Sequence, residues 1–269
     1  MLSARFILRD LGAAFVALMT CAGCDRASRH SVGLLGSTSL QPFAEVLAEY
    51  YAKKNPGQFV EVQGGGSTAG LQAAANRLVD IGMCSRALTA EETNQFKPIL
   101  IARDGLAIVV NAENPVVGLS LGQLRALFAG RTTNWNEVGG KDGPVRPITR
   151  EEGSGTRESF VRLVMGDEHM SRRAMTQESN GAVKELVRGD PATIGYMSLG
   201  LVGNELKALR VDNAQPTVKN VLNGSYNLVR PLLFVTMGAP APAAQRFVDF
   251  VLSPEGQGLL ETEGLVRAQ

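Results

Sequence analysis

The run QFVEVQGGGSTAGLQAAANRLV at residues 58–79 changes its period half-way along. Val60 and Val62 alternate with Glu61 and Gln63, which is the period of a strand. Gly64, Gly65 and Gly66, then Ser67 and Thr68, form a small-residue turn. LQAAANRLV (71–79) follows as a helix. Strand, small turn and helix in that order are the unit of an α/β protein.

The same plan stands on either side. Upstream, VGLLGSTSL (32–40) reads as a strand entering a small-residue turn. QPFAEVLAEYYAKKNP then sets Phe43, Val46, Leu47, Tyr50 and Tyr51 at helical spacing, and Pro56 ends the helix. Downstream, PVRPITR (144–150) leads into EEGSGT, and Phe160, Val161, Leu163 and Val164 form an apolar helical face. Either Ser154 or Thr156 suits the N-cap of that helix.

Between and beyond these units, DIGMCSR (80–86), LIARDGLAIVVN (100–111), ATIGYMSLG (192–200) and NLVRPLLFVTMG (227–238) read as strands. SLGQLRALFAG (120–130), SNGAVKELVRGD (179–190) and two closing segments within 240–264 read as helices. The expectation is an α/β protein with mixed, mostly parallel sheets. In open α/β sheets a ligand lies beyond the carboxyl ends of the strands. Three turns after Gly36, Gln63 and Thr149 would aim helix N-termini at that place. Free N–H donors and the helix dipole there favour an anion. Arg150 adds a full charge on a planar fork that matches an oxyanion. The turn is not a P-loop, because it lacks the GxxxxGK[ST] spacing.

With 269 residues, 44% of them apolar, the chain can bury one large core or two small ones. A net charge of +1 argues against a nucleic-acid or acidic-lipid surface built on bulk charge. Two histidines and three cysteines offer little material for a metal site. No cofactor is expected.

The N-terminus, MLSARFILRDLGAAFVALMTCAGC, carries Arg5 and Arg9 before an apolar run from Leu11 to Met19. That run fits a secretory signal over 1–23 and is short for a span. AGC resembles a bacterial lipobox, with Cys24 as the lipidated residue, although Cys21 stands where an aliphatic residue is usual. Ordinary signal cleavage is the alternative. Residues 24–31 read as a polar tether.

GSTSLQPFAE, VQGGGSTAGLQAAA, DIGMCSRALT, DGLAIVVN, NWNEVGG, ITREEGSGTRESF, ATIGYMSLG and FVLSPEGQ occur in that order from about residue 32 to the C-terminus. Together they resemble the phosphate-binding proteins of bacterial ABC phosphate importers. The resemblance implies a two-lobed periplasmic binding protein of type II with an anion in the cleft. One lobe would comprise 32–107 and 223–269, the other 108–222. It implies phosphate contacts from Thr38, Ser39 and Leu40, from Ser67, and from Arg150, Ser154, Gly155 and Thr156. The family's proton-accepting carboxylate falls on Ser85, followed by Arg86, so the acceptor is unassigned; Asp104 is the first replacement and Glu152 the second. The resemblance further implies a monomer outside the cytoplasm, held to the membrane only by lipid, that delivers phosphate to an ABC permease. A binding protein for sulfate or another tetrahedral oxyanion, and a phosphoester hydrolase, are the alternatives.

Other candidates are weak. His30 and His169 lack a serine nucleophile and an acidic orienter, so both read as surface groups. Cys84 sits in an apolar strand and reads as a buried small hydrophobe. Glu151 and Glu152 point to opposite sides of an extended segment, one toward the cleft and one toward solvent. Asp104 reads as the opening residue of its strand. Trp135 reads as a packing residue.

Overall fold

The computed structural model describes residues 31–268. The signal, the tether before residue 31, Cys24 and His30 lie outside the described residues. In chain order the elements are β1 (Ser31–Gly36), α1 (Gln41–Lys54), β2 (Phe59–Gly64), α2 (Ser67–Ala75), β3 (Ile81–Cys84), α3 (Ala90–Gln95) and β4 (Lys97–Asn111). Next come β5 (Gly118–Leu119), α4 (Leu121–Ala129), β6 (Arg146–Arg150), α5 (Gly155–Phe160), β7 (Met175–Gln177), α6 (Asn180–Gly189) and β8 (Thr193–Ser198). The chain closes with β9 (Leu206–Ala208), β10 (Arg210–Val211), α7 (Val218–Leu222), β11 (Val229–Thr236), α8 (Pro242–Leu252), α9 (Pro254–Thr262) and β12 (Val266–Arg267).

Local chemistry sets many of these ends. Thr89 with Glu92 and Ser120 with Gln123 close capping boxes at α3 and α4. Of the two candidate caps at α5, Ser154 is the one used: its hydroxyl accepts from the Arg157 N–H. A π-helical turn at Val161–Met165 extends α5, so the apolar face expected through Val164 is present. The helix expected to reach Val79 stops at Ala75 instead. Arg77 takes a left-handed φ of 55°, and Leu78 N–H folds back onto the Ala73 carbonyl. That is a helix-terminating geometry that composition does not announce.

The main sheet has the order β2-β1-β3-β11-β4-β8-β6-β7, with β9 and β12 also on β4. Pairing is parallel for β1 with β2 and β3, and for β6 with β7 and β8. It is antiparallel around β4 and β11, which pair with each other and carry the chain between the two ends of the sheet.

Two large apolar clusters explain that arrangement. One gathers Leu34, Phe43, Leu47, Met83, Phe234 and Phe247. The other gathers Leu127, Phe128, Phe160, Val164, Ile194 and Tyr196. Strand β4 gives Ile101 and Ala102 to the first and Leu106 and Ile108 to the second. Strand β11 gives Leu232 and Phe234 to the first, while Val229 packs on the second. The fold is two-lobed, and β4 and β11 are the strands common to both cores. Asp104 therefore does not open its strand. It lies inside β4, opposite Arg230 of β11, between the stretches that serve the two cores. The strand begins at Lys97 because its first residues pair with Val235 and Thr236 of β11.

Candidate functional site

Arg150 ends β6 and is buried, 1% exposed. Its position is fixed from below. Phe160 stacks on Tyr196 at 4.0 Å, and the Tyr196 hydroxyl accepts from Arg150 N–H at 3.2 Å and bonds Thr149 Oγ1 at 2.8 Å. Burial raises the Tyr196 phenol to about 12, so this anchor stays a neutral hydroxyl. The guanidinium is held from the side. Nε and Nη2 donate to the two carboxylate oxygens of Glu151 at 2.9 Å each, and also to the carbonyls of Gln177 and Glu178. Nη2 reaches Thr38 Oγ1 at 2.9 Å as well. Nη1 is buried without a hydrogen-bond partner. A buried cationic donor with no acceptor is costly and marks a place where a ligand group belongs.

A second guanidinium lies between the cores. Arg230 donates from Nε and Nη2 to Asp104 Oδ2, at 3.0 and 2.8 Å, and both side chains are fully buried. Asp104 Oδ1 accepts from Leu199 N–H at 3.2 Å. Burial pushes the carboxyl up and the guanidinium down; the partner's charge opposes both shifts. The charge of Arg150 adds to the depression at Arg230, so the two cations feel each other. The remaining nitrogen of Arg230, Nη1, donates to Thr156 Oγ1 at 2.7 Å. Thr156 Oγ1 lies 2.7 Å from Ser39 Oγ, which accepts from Asn180 Nδ2 at 2.8 Å.

A third group sits at the N-terminus of α2. Ser67 Oγ accepts from Ser85 N–H at 3.1 Å and lies 3.4 Å from Ser85 Oγ. Gly155, the first residue of α5, packs directly on this pair. A Cβ there would stand 2.8 Å from Ser85 Oγ and 3.0 Å from Ser67 Cβ. Nearby, Thr68 N–H donates to the Gly153 carbonyl at 3.1 Å, and Ser159 Oγ donates to the Ser85 carbonyl at 3.2 Å. Arg86 ties Glu92 of α3 at 2.7 Å to Glu158 of α5 at 2.6 Å. The two sides of the cleft are thus in contact over a buried lining of hydroxyls and two guanidiniums.

A model of the PBP superfamily domain matches residues 25–255. The phosphate-binding protein PstS of Bacillus subtilis (strain 168) is 30% identical over 237 residues, 87% of this chain and 79% of that protein. Among solved structures, a phosphate ABC transporter substrate-binding protein with bound phosphate from Clostridium perfringens is 37% identical, with a TM-score of 0.86 over 89% of this chain and all of that one. An ABC-type phosphate transport receptor from Vibrio cholerae is also 37% identical, with a TM-score of 0.74 over 87% and 99% of the two chains. This chain belongs to the PstS family of phosphate-binding proteins.

Within that PstS frame the sequence-expected residues come together, though not all in the manner expected. Ser39, Ser67, Ser85, Arg150, Ser154 and Thr156 are all buried in the cleft region. Thr38 touches Arg150 directly. The Leu40 side chain fills the first core and its N–H turns back onto Ser37. Ser154 Oγ is engaged as the cap of α5. Asp104 has its oxygens on Arg230 and Leu199 N–H. Glu151 faces Arg150, whereas the Glu152 side chain is 95% exposed. His169 is exposed, Cys84 is buried with its thiol pushed up by burial, and Trp135 is buried with its ring N–H on the Ala192 carbonyl.

Sequence reading missed Arg230 and Asn180. Arg230 had one signal: a lone cation within the apolar strand NLVRPLLFVTMG, which requires a buried counter-charge. Asn180 had none, because it follows an ordinary Ser179 cap and looks like a first-turn residue.

Proposed function

We propose that the chain captures inorganic phosphate outside the cytoplasm and delivers it to an ABC permease. The observation that carries this reading is Arg150 Nη1, a buried cationic donor without a partner in a cleft lined by hydroxyls. A tetrahedral oxyanion supplies the acceptor that this nitrogen lacks. The contacts are assigned to Thr38, Ser39, Ser67, Ser85, Arg150, Gly155 and Thr156. Leu40 and Ser154 contribute by shaping their turns, and Asp104 acts through Arg230. The names of the two 37%-identical relatives, and the phosphate bound to the one from Clostridium perfringens, support the same ligand. The named relatives are phosphate-binding and substrate-binding proteins, which supports a binding role rather than an enzymatic one.

The division into 32–107 with 223–269 and 108–222 is supported by the change of core along β4 and β11. That change favours crossings near Asp104 and Arg230, slightly inside the sequence-based limits. Opening would then be a hinge motion about these strands. Cys24 is proposed to carry the lipid that holds a monomeric protein at the membrane. Among the described residues no helix is long and apolar enough to cross one.

Calorimetric titration with phosphate, sulfate and molybdate tests the ligand. Saturable one-to-one binding of phosphate is expected, and no phosphate heat together with no protection against thermal unfolding would overturn the reading. For the anchor, wild-type protein should fractionate with membranes and Cys24→Ser with the soluble fraction. Soluble wild type without an acylated N-terminus would remove the anchor.

A further inference from the structure

Three contacts join the two halves of the molecule beside the clamp, and none of them needs an anion. Thr68 N–H donates to the Gly153 carbonyl at 3.1 Å, and Ser159 Oγ donates to the Ser85 carbonyl at 3.2 Å. The third contact is charged. Arg86 lies just past β3, whose Met83 belongs to the first core, and Glu158 lies on α5, whose Phe160 belongs to the second. Arg86 Nε stands 2.6 Å from Glu158 Oε2 as an ion pair, without the alignment of a hydrogen bond. Arg86 is held for this role from its own side. Nη1 and Nη2 donate to the two oxygens of Glu92 at 2.7 and 2.8 Å, and Nη1 also reaches the Ala87 carbonyl. Glu92 is fixed in turn, because its Oε2 accepts from Thr89 N–H at 2.9 Å. The terminal nitrogens are thus committed within one half, and Nε meets the other. The Arg86 side chain is 8% exposed and that of Glu158 is 42% exposed. Glu158 therefore passes into water when the halves part, while Arg86 keeps Glu92 as its counter-charge. Parting leaves no buried charge unpaired, so the contact is reversible.

We infer that Arg86 is a positioning residue for phosphate capture: its pairing with Glu158 across the cleft stabilises the closed form without touching the ligand and sets how slowly phosphate leaves. The inference rests on the phosphate reading above and adds a determinant of affinity outside the clamp. A ligand held in the closed form alone has an apparent affinity scaled by the fraction of molecules that close. Removing the pair lowers that fraction, and the loss falls mainly on the release rate. The sign separates this effect from bulk charge. Removing a carboxylate near an anion site should by itself speed capture and tighten binding. Loss of the pair should loosen it.

The test follows inorganic phosphate by calorimetry and by stopped-flow release in wild type, Glu158→Gln, Arg86→Gln and the double variant. At low salt Glu158→Gln should release phosphate roughly 2- to 5-fold faster, the scale of one partly exposed ion pair. Its capture rate should be no slower than that of wild type. The gap in release rate should narrow toward about 1 M sodium chloride, where the screening length falls to about 3 Å. The single effects should not add: once Arg86 is replaced, replacing Glu158 should change release far less. This coupling is what a merely structural role for Arg86, exercised through Glu92, would not produce. Thermal melting checks each fold, and if Arg86→Gln does not fold, Glu158→Gln and its salt dependence decide alone. A folded Glu158→Gln that releases phosphate at the wild-type rate or more slowly would overturn the inference. So would additive effects in the cycle, or a gap that stays unchanged at high salt. A wild type that binds no phosphate would remove the phosphate reading and this inference with it.

Discussion

Gly155 and Ser67 meet across the cleft with no room for a methyl group between them. Gly155 opens α5, which packs on the second core through Phe160, while Ser67 opens α2, which packs beside β1 and β3. The glycine is needed for close approach, not for an unusual φ.

Gly155→Ala should therefore obstruct closure while leaving each core intact. Ligand-free stability should change by less than about 1 kcal/mol, because α5 tolerates alanine. Phosphate affinity should fall by at least about tenfold, since the closed form carries the contacts. Small-angle scattering should show wild type contracting with phosphate and the variant contracting less. Equal contraction and equal affinity would mean that this contact does not limit closure.

The Asp104–Arg230 pair gives a stability prediction of known sign. Asp104→Asn leaves a buried guanidinium without its counter-charge, at a cost on the order of 3–5 kcal/mol. Replacing both residues by apolar ones should cost less than this single change, because no charge is then left buried. Urea unfolding of the single and double variants decides it. A single variant within about 1 kcal/mol of wild type would show that the pair is solvated rather than buried.

How far the sequence foretold this site follows from what its residues announce. The turns at Thr38–Leu40, Ser67 and Ser154–Thr156 were legible because strand-to-helix changes of period and runs of small residues are local signals. Arg150 was legible because it borders such a turn. The committed oxygens of Asp104 were not legible, because its partner Arg230 is 126 residues away. Only the pairing of β4 with β11 brings them together, and neither strand carries a local mark of its neighbour. The early end of α2 was hidden for another reason: it depends on one positive φ at Arg77, a residue type that does not advertise it. Leu40 is the converse case, since its position in the motif drew attention to a side chain whose contacts are those of the core.

Acid should loosen the Arg86 junction. Arg86 holds the Glu92 carboxyl below its ordinary value of 4.5, chiefly by hydrogen bonding. A carboxylate so depressed stabilises the fold fully above its unfolded value and loses that contribution as pH falls through the folded one. The stability gap between wild type and Glu92→Gln should be constant above about pH 5 and shrink below about pH 4. Thermal melting across this range measures it. A gap that does not shrink in acid would show that Glu92 acts through its helix cap with Thr89 rather than through its charge.

Arg150 carries the last and most direct prediction. Arg150→Ala removes the free Nη1 and should weaken phosphate binding by about 2–5 kcal/mol, the scale for truncating one partner of a buried charge pair. That corresponds to roughly 30-fold to several-thousand-fold. Fold stability should fall as well, because Arg150 has structural partners besides the ligand. The guanidinium also joins Glu151, Thr38 and the carbonyls of Gln177 and Glu178, so its loss leaves several polar groups without their partner. A stability loss of about 1–3 kcal/mol should accompany the change. Arg150→Lys separates the two effects, because lysine keeps the charge but not the planar fork. It cannot serve Glu151, Thr38 and the anion together, so binding should recover only in part. Calorimetry gives the affinities and urea unfolding the stabilities of both variants. Full recovery of affinity in Arg150→Lys would mean that charge alone holds the ligand and that the fork geometry is incidental. An unchanged affinity in Arg150→Ala, with the fold intact, would take Nη1 out of the site altogether.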